Sequence, residues 1–142
     1  MNQYIIDGEK KPFQPKGWAI VEHRKDGWSP WNSKHALHLS CGQKGNNVSN
    51  GNQLREELAG LAVLNANTLD YFLSNPDRIP TSWKMDKKGR HWWVCFWGTI
   101  YRLYDGGLCV RCLCWGTYGW CWSSCRIGLS FSGQYPAAVL VS

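Results

Sequence analysis

Five of the chain's seven cysteines lie in one short stretch, CVRCLCWGTYGWCWSSC (109–125), together with three tryptophans and one charged residue. Thiolates bind soft metal ions, form disulfides and act as nucleophiles, so this stretch is where the sequence could do chemistry. Cys109 and Cys112 have CxxC spacing, and Cys121 and Cys125 have CxxxC spacing. Two close pairs of this kind are typical of zinc sites.

Other features of the same stretch argue against a shared chemistry. Zinc ligand pairs usually lie on tight turns, whereas Cys109, Cys112 and Cys114 lie in a run with strand character. In a strand, Cys112 and Cys114 face one side and Cys109 faces the other. Seven cysteines cannot all pair within one chain, and no local base signature points to a cysteine nucleophile. We therefore predict no metal ligand and no cofactor, and keep a small zinc-binding protein as an alternative.

The remaining motifs favour a protein that is not an enzyme. The sequence contains no GxGxxG, P-loop, HExxH or GxSxG pattern. Asp105 is the last acidic residue, and from there to the end the only charged side chains are Arg111 and Arg126. Calcium sites and sugar hydrolysis both need carboxylates, so neither is expected in this part of the chain. We predict no catalytic residues.

The chain's size and charge set further expectations. A length of 142 residues predicts a single domain, 1–142. The net charge of +6 and the segment KMDKKGR (84–90) keep a basic, aromatic nucleic-acid-binding module as an alternative, although we consider nucleic acid an improbable partner. The polar N-terminus, MNQYIIDGEKKPFQPKG, lacks a signal-peptide pattern, and no apolar run is long enough to span a membrane. We expect a cytoplasmic protein at synthesis, with any surface display depending on a partner or export route.

The elements that must position the cysteines follow from local patterns. We predict an early strand and a short second one, two helices, and then strands that form an antiparallel C-terminal sheet. Gly and Asn residues mark the turns, with Asp105-Gly106-Gly107 as a hairpin turn. Asn52 and Asn67 are the predicted helix caps, and Asp70 is placed in a first turn. The predicted segments are 17–25, 36–40, 52–61 (helix), 65–80 (helix), 91–104, 108–115, 120–135 and 136–142, which is an α+β fold.

Three longer sequence segments suggest a family. They are NGNQLREELAGLAVLNANTLDYFLSNPDRIPTSWK (50–84), FWGTIYRLYDGGLCVRCLCW (96–115) and YPAAVLVS (135–142). With them the chain resembles the variable proteins of diversity-generating retroelements, from about Gly17 onward. In those proteins, the region after FWGTIYR is rich in Tyr, Asn and Asp set between fixed Trp residues.

The resemblance implies that adenine-directed copying of a template RNA has rewritten the 3′ end of the gene. Its main targets are Asn codons AAC and AAT, which can become Cys, Ser, Gly, Tyr, Thr, Arg or Leu but never Trp, Lys or Gln. On this interpretation 1–107 is a constant scaffold, 108–135 is a variable ligand-binding region and 136–142 is a closing strand. Leu129 is also reachable, and the predicted ligand-binding residues are Cys109, Cys112, Cys114, Gly116, Thr117, Tyr118, Cys121, Ser123, Ser124, Cys125, Arg126, Gly128, Ser130 and Ser132.

The resemblance further implies a C-type lectin-like fold, with two helices and a C-terminal antiparallel sheet, and a non-enzymatic protein that recognises varied protein or surface-glycan ligands. The five cysteines would then be chance products of codon changes at exposed positions. Ile127 and Phe131 depart from the Leu and Trp of the family pattern. Trp120 and Trp122 share one face and are expected to pack rather than bind. The fixed part should supply the core, with Leu54, Leu58, Leu69, Phe72, Leu73, Trp92 or Trp93, Phe96, Ile100 and Val139.

Overall fold

A computed structural model of the chain describes residues 5–25, 27–45 and 47–141. This part of the chain contains ten strands and two α-helices. The helices are α1 (Gly51–Glu57) and α2 (Ala66–Ser74). The strands are β1 (Ile5–Asp7), β2 (Ala19–His23), β3 (Trp28–Pro30), β4 (His35–His38), β5 (Ser49–Asn50), β6 (Trp93–Arg102), β7 (Leu108–Gly116), β8 (Gly119–Arg126), β9 (Ser130–Phe131) and β10 (Ala137–Leu140).

The predicted fold class, an α+β C-type lectin-like fold built on two helices, is wrong. The chain is mostly β, with 39% strand and 21% helix, and its helices are only seven and nine residues long. Both predicted helices end early, because the chain tightens into 3-10 turns at Leu58–Gly60 and Pro76–Arg78, and a further 3-10 turn follows at Thr81–Trp83. Proline at position 76 cannot continue the hydrogen-bond ladder of α2.

The helix caps also differ from the prediction. Asn50 caps α1 and accepts a hydrogen bond from the Asn52 backbone N–H at 2.8 Å. Asn65 caps α2, and Asn67 lies inside the helix with its side-chain amide donating to the carbonyl oxygens of Asp7 and Lys10. The sequence places two asparagines at each start, and tertiary contacts decide which one caps.

The main sheet has six strands in the order β4-β10-β6-β7-β8, with β2 paired to the far end of β6. β6, β7 and β8 form an antiparallel meander, and β10 runs parallel to β6. The hairpin turn predicted at Asp105-Gly106-Gly107 is confirmed: Gly106 has a φ of +90°, and the Gly107 N–H donates to the Asp105 carboxylate at 3.0 Å. The next turn ends at Gly119, whose φ is +107°.

The core lies on both faces of this meander. One face of β6 and β7 packs against α1 and against the chain after β8, while the other packs against α2. Seven of the predicted core residues are buried, namely Leu54, Leu58, Leu69, Phe72, Phe96, Ile100 and Val139. Leu73, Trp92 and Trp93 are only partly buried. β10 closes the core as predicted over Ala137–Leu140, and Ser142, which the predicted segment included, is outside the described residues.

Among the described residues, no helix has the length and the apolar character that a membrane crossing requires.

Candidate functional site

The β7–β8 hairpin carries most of the predicted ligand-binding residues, but its two strands have different surroundings. β7 lies between β6 and β8, whereas β8 is the last strand of the sheet. Every side chain from Cys109 to Cys114 is buried, while β8 alternates between exposed and partly buried residues. The prediction that the diversified positions are exposed is therefore wrong for the cysteines of β7.

The fourteen predicted residues fall into three groups. Those that are buried are Cys109, Cys112 and Cys114. Those that are partly buried are Gly116, Ser123, Cys125 and Ser132. Those that are exposed are Thr117, Tyr118, Cys121, Ser124, Arg126, Gly128 and Ser130. The exposed group forms the outer edge of the sheet and the turns at both ends of β8.

Three thiols converge under this hairpin. The Cys112 Sγ lies 3.3 Å from the Cys95 Sγ and 2.8 Å from the Cys125 Sγ, and all three sulfur atoms are within 4.8 Å of one another. The prediction that the cysteines are scattered over an exposed face is wrong for Cys112 and Cys125. Cys95 was not predicted as part of any site, because only the pairing of β6 with β7 places it opposite Cys112.

Hydrogen bonding and burial shift the pKa values of these three thiols in opposite directions. Hydrogen bonds from the Cys112 and Cys95 thiols lower the pKa of Cys125 to about 4. Burial raises the pKa of both Cys95 and Cys112 well above the ordinary value. These interactions favour the thiolate form at Cys125 over that at Cys95 and Cys112.

The cysteine pairs suggested by the CxxC and CxxxC spacings are not brought together. Cys109 packs on the opposite face of β7, beside Ala66 and Tyr101, as strand alternation predicts. Cys121 lies across from Cys114, with their sulfur atoms 3.3 Å apart. The two pairs that the zinc alternative would need therefore do not converge among the described residues, and the three-thiol cluster consists of different cysteines.

A cavity of about 300 Å³ opens beside Cys125. Its walls come from the end of β8 and from the segment that follows it. Phe131 and Tyr135 are its aromatic residues, and their rings lie 5.8 Å apart in an edge-on arrangement. The other lining residues are Ser124, Cys125, Arg126, Leu129 and Ser130, all of which the family resemblance implies to be variable.

The segment after Cys125 alternates between the core and solvent. Ile127 and Phe131 are each 1% exposed, whereas Gly128, Leu129 and Ser130 are exposed. Ile127 also fits tightly against the start of α1, because a Cβ atom on Gly51 would lie 2.0 Å from the Ile127 carbonyl oxygen. The two residues that depart from the family pattern are thus packing residues, and their apolar character was the signal available in the sequence.

The opposite face of the hairpin carries an ion pair between the buried Arg111 and the partly exposed Asp70. Arg111, which is 1% exposed, donates to both carboxylate oxygens of Asp70 at 2.9 and 3.0 Å. The Trp122 ring covers the Arg111 guanidinium, 4.2 Å from its centroid, and Phe13 and Trp18 contact Trp122 edge-on. Trp122 packs over this pair although 37% of its surface is exposed. Together with Phe13 and Trp18 from the N-terminal part of the chain, it covers this face of the hairpin.

The basic segment 84–90 makes its own local contacts. The Asp86 carboxylate accepts hydrogen bonds from the backbone N–H groups of Lys88 and Arg90 and forms an ion pair with the Arg90 side chain at 2.9 Å. Lys84 lies 4.0 Å from the centroid of the Trp115 ring. Two of the basic side chains of this segment are thus held by neighbours, and nucleic-acid binding stays an untested prediction.

Comparison with known proteins identifies no relative: no protein-family model matches the chain, and neither curated proteins nor solved structures give a significant match.

Proposed function

We propose that the protein is a non-enzymatic ligand-binding protein whose contact surface is β8, the turns at its two ends and the cavity beside Cys125. One observation carries this proposal. Five of the seven residues that line the cavity are positions that the family resemblance implies to be variable, and the other two, Phe131 and Tyr135, are aromatic. Aromatic rings beside positions that can change are an arrangement suited to recognising different ligands.

The chemistry of the exposed residues supports the same proposal. The surface offers hydroxyls from Thr117, Ser124 and Ser130, a phenol from the fully exposed Tyr118 and a guanidinium from Arg126. Antibody paratopes use Tyr, Ser and Gly with occasional Arg in the same way, because these groups adapt to many partners. The cavity volume is at the lower end of the range for ligand pockets, so it suits one side chain or one sugar ring of a larger protein or glycan ligand.

The packing also limits how much of the hairpin can contact a ligand. Cys109, Cys112 and Cys114 are buried, so they are outside the proposed contact surface. Trp97 and Leu113, together with Val110, fill the core on the two sides of the sheet. Changes at the exposed positions of β8 therefore leave the packed part of the meander in place, which a variable binding protein requires.

The gene itself provides the first test. We expect a near-copy of codons 108–140 close to the gene, differing from it almost only at adenines. Sequencing the surrounding DNA and aligning the two copies gives the result directly. A locus without such a copy, or a copy whose differences fall equally on all four bases, would overturn the diversification part of the proposal.

A display library tests the binding surface directly. Codons for Ser124, Cys125, Arg126, Leu129 and Ser130 are randomised, and the library is selected against a set of unrelated purified proteins and an oligosaccharide array. A matched control library randomises five exposed positions away from the hairpin, Gln53, Glu56, Lys87, Lys88 and Tyr104. We expect specific binders from the first library and few from the second, while equal yields would contradict the proposed location of the site.

A further inference from the structure

The thiols of Cys95, Cys112 and Cys125 form a group with the composition and spacing of a metal-ligand set. They come from three neighbouring strands, β6, β7 and β8. Their sulfur atoms lie within 4.8 Å of one another. Ligand atoms that surround a single ion have to approach one another this closely, since a zinc–sulfur bond is about 2.3 Å long.

The sheet holds the three residues in place. Cys95 and Cys112 are directly opposite each other in the β6–β7 pairing, and Cys125 is opposite Val110, one diagonal step from Cys112. Strand alternation directs all three side chains to the same face of the sheet. On that face they lie among buried apolar residues, including Trp97 and Phe131. The backbone thus brings the donors together without a rearrangement.

We propose that these three cysteines bind one Zn²⁺ ion per chain, with a fourth ligand entering from the cavity beside Cys125. The donor set contains sulfur alone, which favours thiophilic ions such as zinc and monovalent copper over magnesium or calcium. The burial of the three cysteines favours Zn²⁺ over Cu⁺. Three thiolates leave a net charge of −1 with Zn²⁺ and −2 with Cu⁺, and an uncompensated charge in a buried site is costly.

The fourth position follows from the exposure of the three cysteines. Cys95 and Cys112 are fully buried, whereas Cys125 is partly exposed and lines the cavity. Zinc is almost always four-coordinate, and a site with three protein ligands takes its fourth from solvent or from a bound molecule. A water molecule or a small external thiol can reach the ion from this side.

The ionisation of the thiols predicts how binding depends on pH. Cysteine binds zinc as the thiolate, so zinc binding releases the protons that the three thiols still carry, and the affinity should rise with pH.

Cys95 lies in the constant part of the chain, whereas Cys112 and Cys125 lie in the region that the family resemblance implies to be variable. The proposal concerns the cysteines that this chain carries, so it stands or falls independently of the diversification proposal. The test uses the full-length, reduced, metal-free protein. Cd²⁺ is titrated while the ultraviolet sulfur-to-metal charge-transfer absorption is followed, and Zn²⁺ then competes for the same site. Native mass spectrometry gives the stoichiometry. We expect one ion per chain, and a loss of affinity in Cys95→Ser, Cys112→Ser and Cys125→Ser that exceeds the roughly 100-fold caused by removing an outer partner of a metal ligand.

Two matched variants serve as controls. Cys109→Ser changes a buried cysteine of β7 on the other face of the sheet, and Cys41→Ser changes an exposed one. Both should bind one ion with unchanged affinity. Because serine at position 95 or 112 can prevent folding, Cys125→Ser is the decisive variant, with circular dichroism confirming its fold.

Four results would overturn the proposal. They are the absence of Zn²⁺ binding by the reduced protein, binding of Cu⁺ without binding of Zn²⁺, unchanged affinity in folded Cys125→Ser, and an equal loss in Cys121→Ser. The last result would assign the ion to the separate Cys114–Cys121 pair.

Discussion

β7 and β8 are adjacent strands of similar composition, yet the side chains of β7 are mostly buried and many of those of β8 are exposed. Each contains cysteines that the family resemblance implies to be variable, and each follows a tight turn. In β7, every residue from 109 to 114 is buried, because it packs between two strands and between two layers of core. β8 has only one neighbouring strand, and its outward residues, such as Ser124 and Arg126, are exposed.

The comparison shows that position in the sheet decides which changes the hairpin tolerates. A side chain on β8 can grow into solvent, whereas one on β7 has to fit a filled space. The ion pairs differ in the same way. Arg111 on β7 is buried against Asp70, and Arg126 on β8 forms an exposed pair with Asp105 at 2.8 Å. Three predictions test this difference.

The largest effect is expected from the ion pairs. Asp70→Asn removes the negative charge opposite the buried Arg111 guanidinium, so the free energy of unfolding should fall by about 3 kcal/mol. Asp105→Asn is the matched control at the exposed pair, and it should reduce stability much less, because solvent screens that pair. Urea denaturation of both variants measures the difference. Equal losses would contradict the distinction between the two strands.

An intermediate effect is expected from overpacking. Tyrosine is reachable from the same codons at both positions, so Cys109→Tyr and Ser124→Tyr form a matched pair. Cys109 is surrounded by Ala66, Tyr101 and Leu103, so the larger ring should destabilise the fold by about 2 kcal/mol. Ser124→Tyr should change stability by less than about 0.5 kcal/mol.

Thermal denaturation of the two tyrosine variants gives the result of this comparison. If Cys109→Tyr melts at the wild-type temperature, β7 can vary as freely as β8, and the proposed contact surface would have to be enlarged.

The smallest effect concerns reactivity where the two strands meet. Because its pKa is about 4, Cys125 should react with iodoacetamide at nearly the same rate at pH 6 and at pH 8, as it is a thiolate throughout. Cys112→Ala removes the thiol whose hydrogen bond lowers the pKa of Cys125 the most. The pKa of Cys125 should then rise, and its rate should increase with pH by up to tenfold per unit below that pKa.

Mass spectrometry of the peptide that contains Cys125 measures these rates. A wild-type rate that already climbs steeply between the two pH values would show that Cys125 is not the thiolate of the cluster.

Local patterns predicted the C-terminal meander well. Aromatic and β-branched residues marked β6, and glycines at 106 and 119, both at positive φ, marked the two turns. The same approach failed for the helices. It extended them to Leu61 and Pro80, because apolar spacing alone does not distinguish an α-helix from a chain that turns into 3-10 geometry. It also missed short strands such as β5 and β9, which have two residues each and no periodicity of their own.

The sequence likewise pointed to some residues of the candidate site and missed one. Codon reasoning on the resemblance selected Ser124, Cys125, Arg126 and Ser130, and the structure places them around one cavity. It did not select Cys95, which lies 17 residues before Cys112 in the chain. No spacing rule links these two cysteines, because their contact depends on the register between strands rather than on distance along the sequence.

By itself, the sequence determined the strand-turn-strand succession of the C-terminal part and the alternation that separates Cys109 from Cys112. These depend on neighbouring residues, and local stereochemistry decides them. The tertiary structure alone decided that β7 is buried, that β8 is the edge, and that Cys95 joins Cys112 and Cys125. The physical reason is that burial and sulfur–sulfur contact arise between strands, and the order and register of strands are set by how the whole core packs.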